Sequence, residues 1–120
     1  MFSTHTEFLA AGRVLVTVAG ELDLATCAAL GAELTRVGSI AADEIMVDLR
    51  GVTFLDCQAV STLLAARRHA TKGGVDLYIR NAQGIARRVL DVTGAAGQLG
   101  LTESGRPTRR AGSDQRLAAG

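Results

Sequence analysis

The sequence contains few aromatic residues, few cysteines and almost no proline. Its 120 residues include no Trp, one Tyr, three Phe, one Pro and two Cys. Nucleic-acid bases and sugar rings are bound largely on aromatic side chains, so the composition argues against both kinds of site. Two cysteines outside a CxxC pair do not make a disulfide framework. His5 and His69 lack partners at ligand spacing, and we expect neither a metal site nor a cofactor.

The chain also lacks an excess of charge of either sign. Its formal net charge is +1, and Lys72 is its only lysine. A protein with so small a net charge has no domain-wide field to attract nucleic acid or an anionic membrane. The arginine doublets at 67–68, 87–88 and 109–110 are typical of solvated helix faces and chain ends. We therefore expect no nucleic-acid partner.

Long hydrophobic runs are missing as well. No apolar stretch approaches the roughly 20 residues that a membrane-spanning helix needs. The first residues do not show a charged segment followed by an apolar one, which is the pattern of a secretory signal. We expect no membrane insertion and a cytoplasmic location.

What the sequence does contain is aliphatic residues in short periodic segments. Hydrophobic residues make up 48% of the chain, and its length suits one domain. Apolar runs and period-two alternation predict strands at 6–9, 13–19, 44–49 and 75–79. In this reading Gly20 ends the second strand, and Arg50 and Gly51 form the turn after the third.

Three helices are predicted between and after these strands. In the first, Cys27, Leu30, Leu34 and Val37 fall on one face, Asp23 or Thr26 caps the start, and Gly38 ends the helix. The second begins at Asp56, with Val60, Leu63 and Leu64 inward, and ends at Gly73 and Gly74. The third covers 82–92, with Ile85 and Val89 inward and Gly94 closing it.

The resulting order β-β-α-β-α-β-α indicates a single α/β domain with a mixed β-sheet. Strands joined by helices form a parallel set, and the first hairpin adds an antiparallel edge. Residues 99–102 are a candidate for a short final strand. We assign residues 1–102 to the domain and 103–120, rich in Arg, Gly and Ser, to a flexible tail.

Three segments stand out: Gly20-Glu21-Leu22-Asp23 at the end of a strand, 47–56 (VDLRGVTFLD) leading into the second helix, and 87–94 (RRVLDVTG) in the third helix. Together they resemble anti-sigma factor antagonist (STAS) domains. The segments occur in the order and at the spacing that the family shows, and the resemblance covers residues 6 to 102.

The resemblance implies a mixed sheet with its helices mainly on one face. It also implies a function, because such domains bind anti-sigma factors that are often ATP-binding serine kinases, and so free a sigma factor for transcription. In the family, phosphorylation of a serine at the start of the second helix switches the antagonist off.

The chain departs from the family at that switch. The usual D-S-S-G or D-S-T-G is here Asp56-Cys57-Gln58-Ala59, so Gln58 stands where the phosphate acceptor would be. A phosphate there would meet the free N–H groups of a helix start and would add about two negative charges to an interface. Gln58 cannot be phosphorylated, so we expect the domain to lack this switch. Ser61 and Thr62, one turn further on, are weaker alternative acceptors.

The resemblance places the partner-binding surface around the starts of the first two helices. Its predicted residues are Leu22, Asp23, Thr26, Asp56, Cys57, Gln58, Ala59 and Thr62. Asp23 and Asp56 also suit helix caps, and capping is compatible with partner binding. Cys57, in the first turn of a helix, and Cys27 are candidate redox residues, although Cys27 also fits a plain core position.

Nothing in the sequence suggests an enzyme. No glycine-rich phosphate loop or GxSxG motif is present, and a strand end and a helix cap explain the carboxylates of Asp48 and Asp56. The main alternatives to an anti-sigma factor antagonist are a STAS subunit of a larger assembly, such as a lipid-transport complex or stress-sensing scaffold, and a ligand-sensing domain.

Overall fold

The computed structural model describes residues 2–40 and 42–101 of the chain. The strands are β1 (Ser3–Phe8), β2 (Arg13–Leu22), β3 (Glu44–Leu55) and β4 (Asp76–Arg80), and a 3-10 turn at Ala10–Gly12 joins the first two. The helices are α1 (Leu24–Gly38), α2 (Cys57–Lys72), α3 (Gly84–Val92) and α4 (Ala95–Gln98). The predicted order is confirmed, with α4 as an additional short helix.

The four strands form one mixed sheet in the order β1-β2-β3-β4. β1 pairs with β2 in antiparallel fashion, and β2, β3 and β4 are parallel. Both the parallel set and its antiparallel edge were predicted. Because β2 and β3 run in the same direction, the helices that follow them begin at the same edge of the sheet.

The core lies between one face of the sheet and the helices. Val14, Val16 and Val18 of β2 are buried, and they form one hydrophobic cluster with β3, β4 and the inner faces of the helices. The predicted inner face of α1 is confirmed, since Cys27, Leu30, Leu34 and Val37 are its buried residues. In β2 and α1, the spacing of the apolar residues in the sequence therefore identifies the side chains that are buried.

β2 and β3 are both longer than predicted. β2 continues through Gly20 to Leu22, and β3 continues through Arg50 and Gly51 to Leu55, so neither glycine ends its strand. The pairing shifts register between Thr17 and Ala19 and again after Gly20, which has a φ of 97°. β-Bulges of this kind let two long strands bend while they stay paired. The glycines thus permit the irregular pairing.

The inward face of α3 was predicted incorrectly in part. Ala86 and Leu90 are its buried residues, whereas Ile85 is 53% exposed and Val89 is half-buried against the core. Both pairs have helical spacing, so periodicity alone does not choose between them. α3 contacts β3. The small side chain of Ala86 is buried in this helix, although the larger apolar side chain of Ile85 would gain more from burial.

The outer edge of β4 is covered by a segment that was predicted as a strand. Residues 99–101 are not a strand, but the N–H of Ile79 donates a 2.9 Å hydrogen bond to the carbonyl of Leu99. The guanidinium of Arg67 donates a 3.0 Å hydrogen bond to the carbonyl of Leu77. These bonds occupy backbone groups that an edge strand would otherwise leave open. Residue 102 and the predicted tail at 103–120 lie outside the described residues.

Asp48 lies inside β3 rather than at a strand end, which corrects the prediction. Its carboxylate accepts hydrogen bonds of 2.9 Å from the backbone N–H of Arg50 and from Nδ2 of Asn81. Asn81 has a φ of 61° and directly follows β4. The carboxylate therefore holds the turn at the end of β4 in a left-handed conformation that few residues adopt readily.

Candidate functional site

The starts of α1 and α2 lie side by side at one edge of the sheet. Leu22 and Leu55 are paired at the ends of β2 and β3, and each helix begins two residues later. The N–H of Asp56 donates a 3.2 Å hydrogen bond to the carbonyl of Leu22. This bond links the two strand ends just before the helices begin, so the sheet fixes the distance between the helix starts.

Asp23 is the N-cap of α1. Its carboxylate accepts hydrogen bonds from the N–H groups of Ala25 and Thr26, and the N–H of Asp23 donates in return to Oγ1 of Thr26 at 3.0 Å. The Thr26 hydroxyl also donates a 2.8 Å hydrogen bond to the carbonyl of Glu21. Of the two predicted caps Asp23 fills the position, and Thr26 completes a reciprocal capping box.

Asp56 is the N-cap of α2. Its Oδ1 accepts a 3.0 Å hydrogen bond from the N–H of Ala59. The predicted capping role of both aspartates is therefore present in the structure. A carboxylate at a helix start also complements the positive end of the helix dipole, so each cap stabilises its helix in two ways.

Apolar and polar side chains are exposed together next to these caps. Leu24, the first residue of α1, is 72% exposed, and Phe54, near the end of β3, is 41% exposed. Cys57 and Gln58 in the first turn of α2 are exposed as well. We call Asp23, Leu24, Phe54, Asp56, Cys57 and Gln58 the helix-start surface. An isolated exposed leucine is common on protein surfaces, but exposed side chains beside two capped helix starts are candidates for partner contact, with Leu24 on α1 and Phe54 on the opposite side of β3 from buried Leu55.

Neither Leu24 nor Phe54 was among the predicted partner-binding residues. The register in which β2 and β3 pair would have predicted the exposure of Phe54. Glu21 pairs with Phe54 and Leu22 with Leu55, so alternation that buries Leu55 turns Phe54 toward the opposite side. Deriving that register requires the bulges, and the sequence does not reveal them.

The remaining predicted site residues lie in different surroundings. Leu22 and Ala59 are fully buried, so they support the surface from below and do not present side chains to a partner. Thr26 and Thr62 are half-buried, and the Thr62 hydroxyl donates a 3.0 Å hydrogen bond to the carbonyl of Gln58. Ser61 is exposed.

The two cysteines are both free thiols and differ in exposure. Cys27 is buried, and its thiol donates a hydrogen bond to the carbonyl of Asp23, with 2.8 Å between the two heavy atoms. Cys57 is exposed on the helix-start surface. Cys27 thus occupies the core position that its spacing suggested, and Cys57 is the accessible thiol of the pair.

In residues 2–40 and 42–101, no group of three or more His, Cys, Asp or Glu side chains is placed to hold a metal ion. No helix in this part of the chain combines the length and apolar character needed to cross a bilayer.

Comparison with solved structures shows strong similarity to anti-sigma factor antagonists. One from Mycobacterium paratuberculosis is 27% identical over 86% of each chain, with a TM-score of 0.75. The antagonist SpoIIAA in its unphosphorylated form is 17% identical, with a TM-score of 0.71 over 95% of this chain and 96% of that one. The phosphorylated Bacillus form gives 18% identity and a TM-score of 0.66 over 93% and 98%. At their identities the last two show the fold alone.

The sequence itself was compared with curated proteins and with family models. No curated protein matched the chain. A family model described as "Mlab, STAS domain" matches residues 7–103, which is most of the chain and contains every residue of the helix-start surface. The chain therefore belongs to the STAS domain family and has the fold of the anti-sigma factor antagonists.

Proposed function

We propose that this protein is an anti-sigma factor antagonist that binds a kinase-like anti-sigma factor through the helix-start surface and thereby releases a sigma factor for transcription. The observation that carries the proposal is the side-by-side start of two capped helices, with Leu24, Cys57 and Gln58 exposed in their first turns. The similarity to an antagonist of 27% identity over 86% of each chain supports the same class of partner.

The helix-start surface suits protein binding better than chemistry. The carboxylates of Asp23 and Asp56 each accept backbone hydrogen bonds from their own helix. Helix capping therefore accounts for both carboxylates without a catalytic role. Exposed Leu24 and Phe54 supply apolar contact area, and the capped helix starts supply a rigid frame.

Gln58 makes the proposed interaction insensitive to phosphorylation at residue 58. It is exposed in the first turn of α2, where a phosphoserine would face the unpaired N–H groups of the helix start. Its amide has no hydroxyl to receive a phosphoryl group. A kinase partner would therefore bind this antagonist without being able to release it by modifying residue 58, and control would act through another residue or through protein level.

The direct test is affinity capture from lysate of the native cell, with bound proteins identified by mass spectrometry. Wild type is compared with Gln58→Asp and with Gln58→Asn, which matches the aspartate in size and lacks its charge. We expect wild type and Gln58→Asn to capture a kinase-like anti-sigma factor and Gln58→Asp to lose it. An acidic residue near a helix start is favourable for folding, so unfolding would not explain the loss.

A second candidate function is that of a STAS subunit in a larger assembly, such as a lipid-transport complex. The observations that favour it are the missing acceptor at Gln58 and the match to a family model that carries the name Mlab. Capture of transporter subunits by all three proteins, without an anti-sigma factor, would support this candidate and overturn the first.

A further inference from the structure

A cavity open to solvent, with cationic side chains among its lining residues, lies between α2 and α4, on a part of α2 separate from the helix-start surface. Its volume is about 370 Å³. The lining residues are Leu64, Arg67, Arg68, Thr71, Lys72 and Gln98. The volume falls within the range of small-molecule sites, which runs from roughly 300 to 1,000 Å³. Three of its six residues are cationic, in a protein whose formal net charge is only +1.

One of the three cations is held in place. The Nη1 of half-buried Arg67 donates a 3.0 Å hydrogen bond to the carbonyl of Leu77 in β4. A guanidinium has five N–H donors, so this bond orients the group and leaves other donors for a ligand. A pre-oriented arginine loses less conformational entropy on binding an anion than a mobile one does.

Within residues 2–40 and 42–101, the other two cations, Arg68 and Lys72, form no ion pair with a carboxylate. The arginines at 36 and 87, by contrast, each pair with a glutamate or aspartate of their own helix. Unpaired cations around a cavity repel one another, and an anion bound between them would relieve that repulsion.

The helix dipole accounts for only part of this arrangement. Cations near the C-terminal end of α2 are stabilised by the negative end of the dipole, which amounts to roughly half an elementary charge. Three positive charges exceed that value several-fold, so the helix dipole alone does not neutralise them. Leu64 adds an apolar wall beside the charges.

We propose that this cavity binds an organic phosphate, with the phosphate group contacting Arg67, Arg68 and Lys72 and an apolar part lying against Leu64. Arginine and lysine together suit a phosphate, because arginine offers paired donors and lysine a compact charge. A free carboxylate would satisfy fewer of these donors. The site is independent of the partner-binding function proposed above.

The test uses the full chain labelled with ¹⁵N and titrated with phenyl phosphate, followed by amide chemical shifts. Phenol and inorganic phosphate are titrated separately to measure the contribution of each part of the probe. The variant Arg68→Gln/Lys72→Gln removes two charges from the cavity. Arg50→Gln/Arg88→Gln removes two exposed charges elsewhere and serves as the matched control. The spectra themselves show whether each variant is folded.

We expect phenyl phosphate to shift the amides of Leu64, Thr71 and Gln98 and to reach saturation. The cavity variant should bind at least about tenfold more weakly, and the control variant should bind like wild type. Inorganic phosphate should bind more weakly than phenyl phosphate, and phenol should not bind.

Three results would overturn the proposal. They are a titration of wild type that does not saturate, equal affinity in the cavity and control variants, and shifts confined to the starts of α1 and α2. Binding to phosphatidylglycerol vesicles without any response to phenyl phosphate would assign the basic residues to a membrane surface and would also overturn it.

Discussion

Gly51 of β3 lies so close to Ala19 of β2 that a Cβ atom on Gly51 would be 2.9 Å from the Cβ of Ala19. The same atom would lie 3.2 Å from the Ala19 Cα and from the Val18 carbonyl oxygen. The two residues are paired in the sheet at the point where the register shifts. The glycine is therefore required by close backbone approach within a strand.

The Gly51→Ala substitution should destabilise the protein by about 1–3 kcal/mol, because backbone atoms cannot move aside as a flexible side chain can. Urea denaturation measures the effect. Gly97→Ala is the control, since a Cβ on Gly97 would meet nothing within 4 Å. The control should be neutral or slightly stabilising, and equal losses in the two variants would contradict the packing argument.

Removal of the α2 cap should cost more through the lost hydrogen bond than through the lost charge. Asp56→Ala leaves the N–H of Ala59 without its 3.0 Å acceptor and should lower the free energy of unfolding by about 0.5–2 kcal/mol. Asp56→Asn retains an acceptor oxygen and should lose much less. Urea denaturation of both variants decides the matter, and equal losses would mean that the carboxylate charge is what stabilises the helix.

Glu33 should give stability a dependence on acidic pH. Hydrogen bonds from Arg36 first, and from Thr6 second, lower the pKa of this carboxyl below its ordinary value of 4.5. A carboxyl with a lowered pKa in the folded state contributes stability that is present above its unfolded pKa and is lost as the pH falls through the folded value. Because solvent screens the Arg36 pair, the contribution is small.

The Glu33→Gln variant should therefore be about 0.5 kcal/mol less stable than wild type at pH 7, and the difference should shrink as the pH falls below 4.5. Urea denaturation at several pH values measures it. Glu7→Gln removes the same formal charge from an exposed position on β1 and serves as the control. A Glu33→Gln deficit that persists unchanged at low pH would show that lost packing causes it.

The sequence predicted those parts of the fold that depend on local periodicity. The spacing of Cys27, Leu30, Leu34 and Val37 identified the inner face of α1, and the valines of β2 identified the core face of the sheet. Both follow from the geometry of a single element. The order of elements was sufficient to predict a mixed sheet.

Features that depend on two elements at once were not predictable in the same way. Gly20 and Gly51 looked like strand ends, because the bulges that keep them inside β2 and β3 arise from pairing. Ile85 looked like a core residue, because nothing local distinguishes its face of α3 from that of Ala86. The resemblance to STAS domains, and not local periodicity, predicted a partner-binding surface at the helix starts, and the exposure of Leu24 there depends on how α1 packs.

The two cysteines should differ sharply in reactivity. In the folded protein, a thiol reagent such as 5,5′-dithiobis(2-nitrobenzoate) should modify exposed Cys57 rapidly, while buried Cys27 should react only after unfolding in urea. Counting thiols with and without urea gives the result, and Cys57→Ser should abolish the rapid phase. If the helix-start surface binds the partner, the mixed disulfide formed on Cys57 should also block capture of that partner, since the added group would stand between the two proteins. Undiminished capture by the modified protein would place the contact surface elsewhere, and two rapidly reacting thiols would show that α1 opens readily at its start.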